Sequence, residues 1–214
     1  MNGAGRKAIA AIAVALAGVV AATDARGNDE QDPIAKAVAV YFDQSFKDLK
    51  AVADTHPTAT TFRQEMKAAA EKTKGFFGGT LIDTNFVIAE VYFKRDALAR
   101  GYDLKRVKEL DAFWKKMREK PEPQLSEPGH GNLIQPRLVA MRYPFLTADG
   151  KLQGIVSMMV RTESFLKETK LDGCSAFRIV VDNRTAEEKG TLSASPREVK
   201  LSLPSTEWVI KYDE

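Results

Sequence analysis

The chain has 214 residues, of which 44% are hydrophobic and 29% charged, and its formal net charge is +3. This is ordinary globular composition, and the part after a leader is long enough for one domain with its own core. No basic stripe with interleaved aromatic residues is present, which leaves nucleic-acid binding without support. The single cysteine, Cys174, excludes an internal disulfide, and its place beside an apolar strand predicts a buried, inert thiol.

The first 25 residues have the pattern of a secretory signal peptide. Arg6 and Lys7 precede a run of small apolar residues from Ala8 to Ala22. A run of about 15 residues is short for a membrane span and typical of a signal peptide, with cleavage after Ala22 or Ala25. We expect a signal peptide over 1–25, a linker over 26–32 and a single domain over 33–214. An uncleaved signal anchor is the alternative, and either way the domain is periplasmic or secreted.

A long helix is predicted directly after the linker. Asp32 is suited to the N-cap, and Pro33 to the first helical position, where a missing N–H removes no hydrogen bond. Apolar residues then recur at helical spacing. The helix should end near Asp54, because the residue before Pro57 is disfavoured in the α conformation.

A second helix and a pair of strands should follow. Thr60 or Thr61 has the spacing of a helix cap, and Gly78-Gly79 reads as the turn that ends this helix. One long kinked helix is the alternative to two helices. Thr80 to Phe93 is rich in β-branched and aromatic residues, which predicts a strand pair or one long strand, with a turn near Asp83.

The middle of the chain reads as a helical insertion and a long loop. Lys94 to Lys120 has helical spacing of apolar residues, among them Trp114, with its charges on the opposite side. Pro121 to Pro136 contains four prolines, which exclude a helix or a central strand. Long loops in compact domains are often functional, and His130 lies in this one. No metal-ligand spacing accompanies it, so we predict no metal site and no cofactor.

Arg137 to Phe165 is the stretch around which the fold should be organised. Leu138 to Leu146 and Leu152 to Arg161 read as strands, joined by an Asp-Gly turn and followed by a helix capped by Thr162. Both faces of the first strand are partly apolar, which indicates a central strand. Arg142 and the next residue, Tyr143, must point to opposite faces of it.

Short strands complete the chain. We predict strands over 175–181 and 208–212, one or two short strands within 192–203 around Pro196, and a charged turn or loop over 182–190. The order of elements indicates an α+β fold: an antiparallel sheet of about five to six strands, a long N-terminal helix and a helical insertion.

Tyr143-Pro144, followed by the run Asp149-Gly150-Lys151-Leu152-Gln153-Gly154-Ile155-Val156, carries a resemblance to a known family. It is similar to the Cache family of extracytoplasmic PAS-like sensor domains, in which a strand ending in an aliphatic residue and proline precedes an Asp-Gly turn and a Gly-Val-Val strand. The resemblance covers roughly residues 33–213. It implies a PAS-like sheet with a ligand pocket on one face, roofed by the insertion and its loop, for small carboxylates or amino acids.

The resemblance also bears on which class of ligand this chain binds. In amino-acid-binding members an Arg-x-Trp-Tyr-like cluster holds the carboxylate and an Asp after the Gly-Val-Val strand holds the ammonium. That cluster is absent around Arg142, and the Asp position falls near Met158 or Met159. We therefore expect a small anion such as a carboxylate, because a guanidinium matches a carboxylate in two parallel hydrogen bonds. The candidate ligand-binding residues are Arg142, Tyr143, Arg137, Trp114, His130, Arg161 and Tyr92.

The functional prediction is a single sensor module without an output domain. We expect it to signal through a separate partner, such as a membrane receptor or a kinase in trans, and to have no membrane span after signal cleavage. The alternative is an accessory protein–protein interaction module of an envelope complex with no small ligand. A hydrolase is a weaker prediction than either, because no GxSxG motif or recognisable nucleophile–base pair is present.

Overall fold

The computed structural model describes residues 32–93, 99–129 and 136–214. The predicted signal peptide and His130 lie outside these ranges. Within them, no helix combines the length and the apolar character that crossing a membrane requires.

Four α-helices are present in the described residues. They are α1 (Pro33–Ala53), α2 (Phe62–Lys72), α3 (Asp111–Glu119) and α4 (Thr162–Glu168). The predicted start of α1 is confirmed, since the Asp32 carboxylate accepts hydrogen bonds from the N–H groups of Ile34 (2.9 Å) and Ala35 (3.0 Å). The first two helices are separate rather than one kinked helix.

The first sheet contains five antiparallel strands in the order β2-β1-β5-β4-β3. These are β1 (Phe76–Ile82), β2 (Ile88–Phe93), β3 (Gln124–Leu125), β4 (Leu138–Leu146) and β5 (Leu152–Arg161). The predicted strand–turn–strand–helix is confirmed, with β4 inside the sheet and Gly150 at φ +81° in the turn, where glycine carries no steric penalty. The predicted cap is wrong, because Thr162 is the first residue of α4 and its hydroxyl has no hydrogen-bond partner among the described residues.

The last four strands form a second antiparallel sheet, in the order β7-β6-β9-β8. They are β6 (Ala176–Val181), β7 (Arg184–Lys189), β8 (Arg197–Leu203) and β9 (Thr206–Asp213). The charged segment that we predicted as a turn or loop is largely β7. Asp182 and Asn183, both at positive φ, form the tight turn that leads into it.

Two further sequence predictions are corrected by the structure. Gly78-Gly79 lies inside β1 and is not a turn. The absence of a Cβ at these two positions allows the Phe93 ring and the Met66 side chain to pack against the strand. A Cβ on Gly78 would lie 2.0 Å from the Phe93 ring, and a Cβ on Gly79 would lie 3.0 Å from Met66. The predicted helix of the insertion is also shorter, since 3₁₀ turns occupy Leu104–Arg106 and Lys108–Leu110 before α3 begins.

The main core joins α1 to both sheets. The Phe42 ring of α1 stacks on Phe165 with centroids 5.1 Å apart and meets Trp208 of β9 edge-on at 5.3 Å. Burying each such ring contributes about 1.5–3 kcal/mol. A smaller cluster, centred on Trp114 and Met117 of α3, covers one end of the opposite face of the first sheet. The first sheet therefore lies between α1 and the insertion.

Candidate functional site

A row of polar side chains crosses the first sheet. Gln124 of β3 is paired with Arg142 of β4, Arg142 with Ser157 of β5, and Ser157 with Thr80 of β1. Directly paired residues of antiparallel strands point to the same face of a sheet. These four side chains, called here the polar row, therefore stand next to one another on one face.

The polar row faces the insertion and not α1. Met141 and Met158, the neighbours of Arg142 and Ser157 along their strands, are fully buried in the core that contains α1. On the other face, the Arg142 guanidinium carbon lies 4.3 Å from the centroid of the Phe113 ring in α3. The row thus occupies the face on which the sequence resemblance places a ligand pocket.

The Arg142 guanidinium is desolvated and carries no anionic partner in the described part of the chain. Among the described residues, the guanidinium makes a cation–π contact with the Phe113 ring. Burial lowers the pKa of Arg142 to about 10, so the side chain stays charged at neutral pH. By surface area the residue is half-buried, which leaves it open to a small molecule. It is a charged donor that no carboxylate of the described residues neutralises.

The other members of the polar row add unused hydrogen-bonding groups. Exposure is 5% for Gln124, 3% for Ser157 and 5% for Thr80, and their side chains make no hydrogen bond with any other described residue. Together with Arg142 they offer amide, hydroxyl and guanidinium donors, which is the donor set that a carboxylate or a similar small oxyanion requires.

Two of the predicted site residues lie beside the row without joining it. Tyr143 points to the opposite face, where it packs against the core that α1 shares. Trp114 is 4% exposed, and its indole N–H donates to the Leu104 carbonyl at 3.3 Å. Trp114 therefore supports α3, and its neighbour Phe113 makes the contact with Arg142.

The remaining predicted residues lie elsewhere. Arg137 forms an ion pair with Glu187 of β7 and thereby links β4 to the second sheet. Arg161 and Tyr92 line a separate groove near α2. His130 is outside the described residues. The structure therefore brings Arg142 together with three residues that sequence reasoning missed, namely Gln124, Ser157 and Thr80.

A signal for Ser157 was present in the sequence. It is the one polar residue between Ile155 and Val160, in the middle of a strand that is otherwise apolar. Gln124 and Thr80 gave no such signal, because their position opposite Arg142 and Ser157 depends on the register of three strand pairs. Within the described ranges, no group of three or more His, Cys, Asp or Glu residues is placed to hold a metal ion.

Comparison with known proteins gives structural matches only. No protein-family model matches the chain, and no curated protein does. The ligand-binding domain of the Pseudomonas aeruginosa amino acid chemoreceptor PctC, in complex with GABA, superposes with a TM-score of 0.60 at 13% identity. The match covers 83% of this chain and 93% of that domain. The ligand-binding domain of the Pseudomonas fluorescens chemoreceptor CtaA, in complex with L-alanine, gives 0.59 at 16% identity and covers 84% and 91%.

An extracellular ligand-binding receptor from Desulfohalobium retbaense matches with a TM-score of 0.65 at 13% identity. The match covers 84% of this chain but 39% of the receptor, so the chain spans about two-fifths of that protein. At these identities the comparisons establish the fold. The chain has the Cache-type fold of periplasmic chemoreceptor ligand-binding domains, as its strand–turn–strand motif predicted.

Proposed function

We propose that this protein is a periplasmic or secreted sensor module that binds a small carboxylate in front of the polar row, with Arg142 as the anchor. The observation that carries the proposal is the desolvated guanidinium of Arg142, which has no anionic partner among the described residues. A bound carboxylate would supply that partner through two charge-assisted hydrogen bonds. Two of the solved relatives hold GABA and L-alanine, and each of these ligands carries a carboxylate.

The ligand class follows from what the polar row contains. Its members are one guanidinium, two hydroxyls and one amide, with no carboxylate to receive an ammonium group. Met159, near the position where the resemblance implies an Asp, pairs with Ala140 and Gly78 on the same face. A buried ammonium without an acceptor carries a large desolvation penalty. We infer a carboxylate without an amino group.

Binding, and not catalysis, is the proposed activity. Ser157 is the potential nucleophile of the polar row, and the row holds no histidine, cysteine or carboxylate to take its proton. The leader pattern supports export from the cytoplasm. We further propose that residues 33–214 act as one unit, because one core cluster contains α1 together with Met158 of the first sheet and Trp208 of the second. We also propose that the module passes its signal to a separate protein.

A thermal-shift panel tests the proposal. Wild-type protein would be heated with acetate, pyruvate, succinate, L-alanine or GABA, and with chloride as the salt control. We expect a carboxylate without an amino group to raise the melting temperature, because a ligand that binds only the folded state stabilises it. The Arg142→Met variant should lose this response.

The matched control is Arg178→Met. Arg178 lies on the second sheet, paired with exposed Glu188 at 3.0 Å, and its replacement should leave the carboxylate response intact. A panel in which no carboxylate shifts the wild type would overturn the proposal. A response to L-alanine or GABA alone would overturn the ligand class.

A further inference from the structure

A second groove lies at the other end of the first sheet, between α2, the start of β1 and the start of α4. Its volume is ≈ 610 Å³, within the range of about 300–1,000 Å³ that small-molecule sites occupy. Its lining includes Arg63, Thr73, Phe76, Tyr92, Phe93 and Arg161. We call it the aromatic groove. It shares no residue with the polar row.

Aromatic rings form much of the groove. Phe76 and Tyr92 meet edge-on with centroids 5.9 Å apart, and Phe77 and Phe93 do so at 5.8 Å. Phe93 lies directly over Gly78, whose missing Cβ allows the close approach. The two pairs lie on opposite faces of the sheet, because Tyr92 and Phe93 are consecutive residues of β2. The pair Phe77–Phe93 is on the side of Arg161, and a further ring can pack against Phe93 there.

Positive charge borders this surface. The Arg161 guanidinium carbon lies 5.2 Å from the centroid of the Phe77 ring. Among the described residues, its ion-pair partner is the Glu163 carboxylate at 3.8 Å, and the Glu163 side chain is 71% exposed. Such a contact leaves the guanidinium largely able to bind another anion. Arg63 also lines the groove and donates to the Val91 carbonyl at 3.1 Å.

The groove contains one further polar group. Thr73 is 8% exposed, and its hydroxyl is buried without a hydrogen-bond partner in the described residues. Glu71 is the acidic residue in the lining, and its carboxylate lies 3.9 Å from Lys67. Arg63 lies 3.9 Å from the Glu90 carboxylate, so Arg161 is the lining cation on which the argument for an anion rests.

We propose that the aromatic groove is a second binding site, for an organic anion with a flat apolar body such as an aromatic carboxylate. The ring packs against Phe93, and the carboxylate bonds to Arg161. This inference does not depend on the polar row, because the two sites use different arginines at different ends of the sheet.

Benzoate is the probe for this site. In ¹H–¹⁵N NMR titrations of the wild-type protein, benzoate should produce saturable shifts in the amides of residues 73–77, 92–93 and 161–164. Benzamide, the uncharged analogue, should bind about tenfold more weakly, since a hydrogen bond to a charged group contributes about 1.5–3 kcal/mol. Arg161→Gln should weaken benzoate by a similar factor, and its amide spectrum shows whether the fold is kept.

Two comparisons separate this site from the polar row. Arg142→Gln should leave the benzoate titration unchanged, and acetate should not compete with benzoate. Shifts that map to the polar row and vanish in Arg142→Gln would overturn the second site while supporting the first. Equal affinity of wild type and folded Arg161→Gln, or no saturable shift at all, would overturn it without affecting the proposed function.

Discussion

Replacing Arg142 with methionine should stabilise the ligand-free protein while abolishing its response to carboxylates. Burial lowers the pKa of Arg142 to about 10, which corresponds to a penalty of roughly 3 kcal/mol for holding the charge in place. The cation–π contact with Phe113 offsets about 0.5–2 kcal/mol of this penalty, and the partial exposure of the side chain reduces it further. Methionine has a similar length and no charge, so we expect a net gain of about 1–2 kcal/mol.

The sign of the Arg142 contribution to folding stability can be tested by changing the pH as well as by mutation. The folded-state pKa is below the unfolded one, so the penalty is complete at neutral pH and diminishes as the pH rises above about 10 towards the unfolded-state pKa. The gain from Arg142→Met should therefore be present at pH 7 and shrink above pH 10.

Thermal and urea unfolding measure this effect. For a domain of this size, a gain of about 1–2 kcal/mol raises the melting temperature by roughly 2–8 °C. Arg178→Met, which removes an exposed ion pair, should change stability by less than about 0.5 kcal/mol. A loss of stability in Arg142→Met would refute the reasoning, because it would mean that the Arg142 side chain stabilises the ligand-free fold.

Two further predictions concern structural contacts. Arg137→Met should cost about 1–3 kcal/mol in urea unfolding, because it leaves the 6% exposed side chain of Glu187 without its cation, and adding Glu187→Leu should recover most of that loss. Gly78→Ala should cost about 1–3 kcal/mol by forcing Phe93 from its place, whereas Gly173→Ala, with no atom within 4 Å of its Cβ position, should be close to neutral in the same assay.

The fold was accessible from the sequence where one or two residues decide the local geometry. Asp32 and Pro33 mark the start of α1, and Gly150 marks the turn between β4 and β5, because each has a conformational role that few residues share. A Gly-Gly pair such as Gly78-Gly79 is typical of a turn, and its position inside β1 depends on Phe93 and other side chains that are distant in the sequence. Such packing cannot be predicted from the neighbouring residues of the sequence.

Strand β7 of the second sheet was missed for a related reason, whereas its other three strands were predicted. Its strand β7 is charged over most of its length, since it lies at an edge of the sheet with much of its surface in solvent. Alternating apolar residues, the usual mark of a strand, are therefore reduced to Ala186. The site was predicted in part: Arg142 was found from its unusual place in an apolar strand, whereas its neighbours Gln124 and Thr80 follow only from strand register.

The most direct test of the central claim is a crystal structure of the protein with the carboxylate that gives the largest thermal shift. The account predicts the carboxylate within hydrogen-bond distance of the Arg142 guanidinium, beside Ser157 and Thr80 and beneath the Phe113 ring. A carboxylate bound elsewhere, with Arg142 paired to a protein carboxylate or pointing into solvent, would contradict it.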